Sequence, residues 1–265
     1  MAPMRRVARQ FWHNGVPLTG ERILAEEVPV AFSYDGTTHA VLMATPDDLD
    51  DFAAGFSMTE GIVRRADEIE EMTIVGSSDG IVLRMSLTGE RSDAFAARRR
   101  RFVGPAGCGM CGLESLAEAN RAIPRARRGM PFGRRDIEAA VASLSPCQEL
   151  NLRTRSVHAA ALWCRDRGLV LREDVGRHNA LDKLAGALLH ADQPAADGIV
   201  VLSSRISIEL VQKSSMMGAP IVAGISAPTA LAVRAAEAAG ITLIGVARED
   251  GFEVFSHPER IHECG

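Results

Sequence analysis

Lysine, aromatic residues and long apolar runs are all scarce in this chain. Lys183 and Lys213 are the only lysines, so all but two of the 30 Lys and Arg residues are arginine, which reads as a coding bias. Arginines gather between Arg98 and Arg135, where ten of them face two acids, Glu114 and Glu118, but only Phe102 and Phe132 could stack bases there. With a net charge of −4, that leaves no signature of a nucleic-acid binder. No apolar run approaches the ~18–20 residues of a membrane span. Arg5, Arg6 and Arg9 are not followed by the apolar stretch of a secretory signal. Five cysteines are too few, and odd in number, for a disulfide framework, so a reducing cytoplasm is expected, with no membrane and no nucleic-acid partner. Motifs are missing too. Neither G-x-x-x-x-G-K-[ST] nor a strand-linked G-x-G-x-x-G occurs, which argues against a nucleotide hydrolase or a standard dehydrogenase.

What is present centres on Gly107-Cys108-Gly109-Met110-Cys111-Gly112. A Gly/Pro loop precedes the two thiols, and Leu113 to Ile123 reads as a helix, which puts Cys111 at a helix N-terminus. Unpaired N–H groups there favour a thiolate, the reactive form of cysteine. As a zinc site this is half a site, because Cys147, Cys164 and Cys264 are single. A zinc deaminase needs an H-x-E upstream of its cysteine pair, and the only one, His257-Pro258-Glu259, lies far downstream. A thioredoxin-like pair would come early in its fold, whereas about a hundred residues precede this one. Structural cysteines under a loop fit the flanking glycines poorly. The pattern leaves a redox pair and a persulfide-holding sulfur carrier both open.

At 265 residues, 46% apolar and 24% charged, the chain reads as one large or two modest globular domains. Residues 11–45 read as antiparallel strands, with Asp35-Gly36 turning a hairpin. Thr45 and Pro46 are expected to open a helix whose apolar face is Leu49, Phe52, Ala53 and Phe56. Strands follow at Met72–Val75 and Ile81–Leu87, completing a small α+β unit over residues 1–100. Residues 88–107 read as a linker. Over 101–265, a helix is expected at Asp136–Ala142 and strands at Leu150–Thr154, Ala159–Cys164 and Gly168–Leu171. The polar turn from Arg172 to Lys183 suits substrate contact and leads into a helix with Leu181, Leu184 and Leu188 on one face. Gly198–Leu202, Pro220–Ala223 and Ile241–Val246 are strands separated by helices, one of them capped by Ser226–Thr229 and ended by Gly240. This alternation implies a parallel sheet. Ligands bind beyond the carboxyl ends of such strands, here Ser203, Ser204, Arg205, Ser226, Thr229 and Arg248. Helix N-termini and arginines there make an anion cradle.

Cys108–Gly112, the run Glu173-Asp174-Val175-Gly176-Arg177-His178-Asn179-Ala180-Leu181-Asp182-Lys183 and Ser226–Thr229 together resemble the FdhD family of formate dehydrogenase accessory sulfur carriers. The likeness extends from about Glu26 to Arg260. It implies a cytidine deaminase-like α/β sandwich in the C-terminal part without the catalytic zinc, and no tightly bound metal. It implies a sulfurtransferase role, in which a cysteine desulfurase donates persulfide sulfur. The carrier passes this sulfur to the bis-molybdopterin guanine dinucleotide cofactor, its cargo, before insertion into a molybdenum-dependent formate dehydrogenase. Cys108 would carry the persulfide, with Cys111 assisting release or closing a disulfide. The cofactor segment would fall on Val246, Ala247, Arg248, Glu249, Asp250 and Gly251. His158, Asp174, Gly176, Arg177, His178, Asn179, Ser203, Arg205, Ser226 and Thr229 are the further cofactor candidates, and a homodimer is implied. The chain has Arg155-Ser156 and Ser204 where the family pattern has Gly-Gly and Gly. A non-enzymatic cofactor chaperone and a disulfide oxidoreductase are the alternative functions.

Overall fold

The computed structural model describes residues 1–102, 123–126, 129–248 and 250–262. Cys108, Cys111, the helix expected after them and Glu249 lie outside the described residues. The class is mixed α/β, as expected, with a two-stranded and a four-stranded sheet in the N-terminal half of the chain and a six-stranded and a two-stranded sheet in the C-terminal half.

In the N-terminal half, β1 (Met4–His13) and β2 (Val16–Ala25) form an antiparallel hairpin. It turns on Asn14-Gly15, both at positive φ, the geometry that suits the twist of a two-residue hairpin. Next come β3 (Val28–Tyr34), β4 (Thr37–Ala44), α1 (Leu49–Thr59), β5 (Ile69–Gly76), β6 (Ile81–Leu87) and α2 (Gly89–Phe102). The strands are ordered β4-β3-β6-β5. The period-2 pattern of a strand turns Val28, Val30, Phe32 and Tyr34 to one face, where they meet Ile81, Leu83, Met85 and Leu87. Helix α1 lays Phe52 and Phe56 on this face, with ring centroids 4.9 and 4.1 Å from Phe32. Aromatic pairs of this kind add about 0.5–1.5 kcal/mol each beyond burial. Two expectations are corrected here. Residues 89–102 are helix, not linker, anchored by buried Phe95. Thr45 does not cap α1; Asp48 stands at that position in the left-handed region, and Thr45 is drawn inside.

In the C-terminal half, β7 (Phe132–Gly133), α3 (Arg134–Leu144) and α4 (Glu149–Thr154) precede β8 (His158–Cys164), β9 (Gly168–Asp174) and α5 (Arg177–His190). Then β10 (Ile199–Leu202), α6 (Ile208–Met216), β11 (Ile221–Gly224), α7 (Ala230–Ala239), β12 (Thr242–Arg248), β13 (Gly251–Ser256) and β14 (Ile261–His262) complete the chain. Leu150–Thr154 is therefore helix, not strand. Its first amides, Leu150 and Asn151, donate to the carboxylate of Glu173 at 2.7 and 2.9 Å. The large sheet is ordered β13-β12-β11-β10-β8-β9, with β10, β11 and β12 parallel. Both of its faces are covered at the centre, so β10 and β11 are apolar throughout. Val200, Leu202, Val222 and Leu243 face α5, α6 and α7, while Ile199, Val201, Ile221 and Ile244 face α3.

Helix α5 is buried almost all round because α1 packs on its outer side. The contact is backbone to backbone. A methyl group at Gly55 would overlap the Asp182 carbonyl, and one at Gly186 would overlap the Asp51 carbonyl. Charge seals the same seam. Lys213 Nζ bonds Asp182 Oδ1 and Glu60 Oε1, each at 2.9 Å, and Thr59 Oγ1 donates to Asp182 Oδ1 at 2.6 Å.

Candidate functional site

The register of the large sheet gathers the residues named from the sequence along one edge. Leu202 at the end of β10 pairs with Ala160 near the start of β8, and His158 pairs with Asp174 at the end of β9. On the other side Leu202 pairs with Gly224, Ala223 with Ile244, and Arg248 with Gly251. His158, Asp174–Asn179, Ser203–Arg205, Ser226, Val246–Arg248 and Gly251 therefore line the same end of the sheet. Three helices also begin there: α5 after Gly176, α6 after Ser207 and α7 after Thr229. Their unpaired amides and aligned peptide dipoles favour an anion. Arg205 and Arg248 are exposed at this edge, and Arg177 is half-buried.

The residues divide by what they touch. Asp174 is fully buried and holds the turn rather than facing outward. Its Oδ1 accepts from Gly176 N at 2.8 Å and Asn179 Nδ2 at 2.9 Å, and its Oδ2 accepts from Thr45 N at 3.0 Å. Asn179 Nδ2 also donates to the Met43 carbonyl, Val175 N donates to Thr45 Oγ1, and Lys183 Nζ donates to the Thr45 carbonyl. Gly176 is required because a side chain there would collide with the Asn179 amide. This lattice, half of it supplied by the end of β4, fixes the turn that presents Arg177 and His178.

His178 has no hydrogen-bond partner for Nε2 among the described residues, and its closest carboxylate, Glu209, is 3.9 Å away. Burial, then Arg177 and Lys213, push its pKa down to about 4, so the imidazole is neutral near pH 7. His158 is also lowered, by burial and by Arg177. Asp182, four residues after His178, does not pair with it but turns inward to Lys213. Ser203 extends the β8–β10 ladder, its hydroxyl accepting from Ala159 N at 2.8 Å. Ser204 is buried, with its hydroxyl donating to the Arg205 carbonyl. Thr229 caps α7 by accepting from Ala232 N, and the exposed Ser226 receives Val246 N on its carbonyl at 3.3 Å. Val246 stands at φ 51°, an uncommon conformation for a β-branched residue, at a bulge that lifts Val246 and Ala247 off the β13 ladder. Asp250 is exposed in the turn that follows.

Among the described residues there is no group of three or more His, Cys, Asp or Glu side chains arranged to hold a metal. A cavity of about 420 Å³ lined by Met58, Leu188 and Met216 lies away from this edge and contains none of the residues above. Thr45 and the Met43 carbonyl have no local sign of a part in the site, because they act on this turn from 129 and 136 residues away, whereas Lys183 closes the polar run that the sequence marks.

A family model described as FdhD/NarQ matches residues 25–262. A protein from Agrobacterium fabrum named sulfur carrier protein FdhD is 51% identical, over 98% of this chain and 97% of that one. One of the same name from Brucella abortus is 47% identical, over 98% of each. A crystal structure from Desulfotalea psychrophila, assigned as a formate dehydrogenase accessory protein, superposes with a TM-score of 0.74 at 25% identity, covering 98% of this chain and 99% of that one.

Proposed function

This chain belongs to the FdhD/NarQ family, and on that premise we propose that it is a sulfur carrier serving a molybdenum-dependent formate dehydrogenase. The observation that carries the reading is the sheet edge, where three helix N-termini meet Arg177, Arg205 and Arg248. Such an edge suits the phosphates of bis-molybdopterin guanine dinucleotide, a substrate with more anionic groups than one arginine could hold.

In this reading the Cys108 thiolate attacks the outer sulfur of a cysteine desulfurase persulfide. The S–S bond of the donor breaks, the desulfurase leaves as a thiolate, and Cys108 becomes the persulfide. Attack by the Cys111 thiolate on Cys108 then closes a Cys108–Cys111 disulfide and releases sulfide toward the cofactor. The two electrons that reduce the sulfur come from the thiols, and a cellular dithiol reopens the pair. Neutral His178 and His158 add no positive charge, so the arginines carry the electrostatic part of cofactor binding.

Reconstitution tests the proposal. Apo formate dehydrogenase is mixed with bis-molybdopterin guanine dinucleotide, desulfurase and cysteine, with and without the chain. Formate oxidation that depends on the chain and fails with Cys108→Ala is expected. Equal activity without the chain contradicts it, and equal activity with Cys108→Ala favours a non-enzymatic cofactor chaperone.

A further inference from the structure

The hairpin β1–β2 meets the rest of the molecule chiefly where β2 touches helix α4. Its strands are ten residues each, and none of its residues belongs to the three buried apolar clusters. Most of it precedes the residues matched by the family model. A two-stranded hairpin without a core is marginal in water, so its retention as two full strands calls for a partner.

Register shows what the hairpin offers. Arg5 pairs with Leu24, Val7 with Arg22, Arg9 with Gly20, Phe11 with Leu18 and His13 with Val16, so these residues share one face. Val7, Val16, Leu18 and Leu24 are 39, 56, 42 and 37% exposed there. Arg9 lies over the Phe11 ring at 4.3 Å, and that ring reaches over Gly20, the residue opposite Arg9. The only carboxylate of the hairpin, Glu21, lies on the other face, paired with Arg6 at 3.0 Å. The same side holds Trp12, exposed near the tip, and Ile23 and Ala25, which are shielded at the base. The face that carries Val7 and Leu18 is thus an apolar stripe edged by three arginines and His13.

We propose that this face docks an acidic, apolar-striped surface on the formate dehydrogenase that the chain serves; the choice of partner rests on the function proposed above. Charge decides between occupants. A contact centred on a two-fold axis would set this face against its own copy and bring like arginines together. A lipid surface would leave the unpaired N–H and C=O groups of both strand edges in hydrocarbon, which is costly, whereas a protein edge can pair them.

The experiment measures binding of purified apo formate dehydrogenase to the full chain across a salt series. The variants are Arg5→Glu/Arg9→Glu/Arg22→Glu and Val7→Asp/Leu18→Asp, with thermal unfolding as the folding control. Each variant is expected to weaken binding at least about tenfold with an unchanged unfolding midpoint. The charge variant is also expected to flatten the salt dependence. Variants that bind as tightly as the unaltered chain overturn the proposal while leaving the proposed function standing. So does a dimer, seen by light scattering, that these variants dissolve, or binding to phosphatidylglycerol vesicles lost in the same variants while enzyme binding persists. An unaltered chain that does not bind the enzyme overturns both.

Discussion

Lys183 Nζ lies 2.7 Å from Asp174 Oδ2, with both side chains fully buried, and 5.6 Å from the centre of the Phe52 ring. Asp182, the residue just before Lys183 on α5, makes a like pair with Lys213, whose Nζ is 5.4 Å from the Phe56 ring. The only two lysines of the chain thus hold the seam between its halves. A compact ammonium can meet a carboxylate and a backbone carbonyl at once, as Lys183 does with Asp174 and Thr45, where a planar guanidinium needs more room.

Lys183→Met should therefore destabilise the fold by about 3–5 kcal/mol, because it strands a buried carboxylate. Lys183→Arg should recover little of that loss. Chemical unfolding checks both. A loss under 1 kcal/mol for Lys183→Met would mean that Asp174 is satisfied without it.

Gly55→Ala and Gly186→Ala test the backbone contact between α1 and α5. Each added methyl overlaps a carbonyl oxygen of the facing helix, which the fold can relieve only by separating the two. About 3 kcal/mol or more of destabilisation is expected for each, although alanine favours an isolated helix. Stabilisation by either would contradict the packing.

The pH dependence follows from His178. Its folded pKa, about 4, is below the ordinary imidazole value of 6.5. As pH falls below 6.5 the unfolded chain takes up this proton first, so stability drops, and the loss from this residue is complete near pH 4. His158 acts in the same direction. Replacing His178 by Gln should flatten stability against pH across that window. An NMR titration that places His178 at or above 6.5 would refute the assignment.

Arg155 ends α4 at φ 59°, in the left-handed region where glycine carries no steric penalty. Arg155→Gly should stabilise the chain by about 1 kcal/mol, read as a rise in thermal midpoint. The other departure, Ser204, has no such strain and points its hydroxyl at the Arg205 carbonyl, so Ser204→Gly should leave the midpoint nearly unchanged.

Elements with a strong period or a local cap could be read from the sequence. The β3–β4 hairpin, the Phe52–Phe56 face and α7, with Thr229 before it and Gly240 after, all fall where the pattern puts them. Elements set by distant partners could not. Helix α4 is short, its N-terminus is held by Glu173, and Leu150, Leu152 and Thr154 alternate as they would in a strand. Helix α2 is polar nearly throughout, with Phe95 its buried anchor. Thr45 has the right chemistry for a cap, but Asp174, Val175 and Lys183 engage it instead. At the sheet edge the residue types were legible, because strand-to-helix turns announce themselves. The division of labour was not: Asp174 and Asn179 build the turn, while Arg177 and His178 are presented by it.

The central claim is that Cys108 carries sulfur. Intact mass after incubation with a cysteine desulfurase and cysteine tests it most directly, on the unaltered chain, Cys108→Ala and Cys111→Ala. Both variants are needed because Cys147 is exposed and could take up sulfur adventitiously. The account predicts a gain of one sulfur atom that disappears with Cys108→Ala and persists with Cys111→Ala. Undiminished loading of Cys108→Ala, or no loading of the unaltered chain, would contradict it.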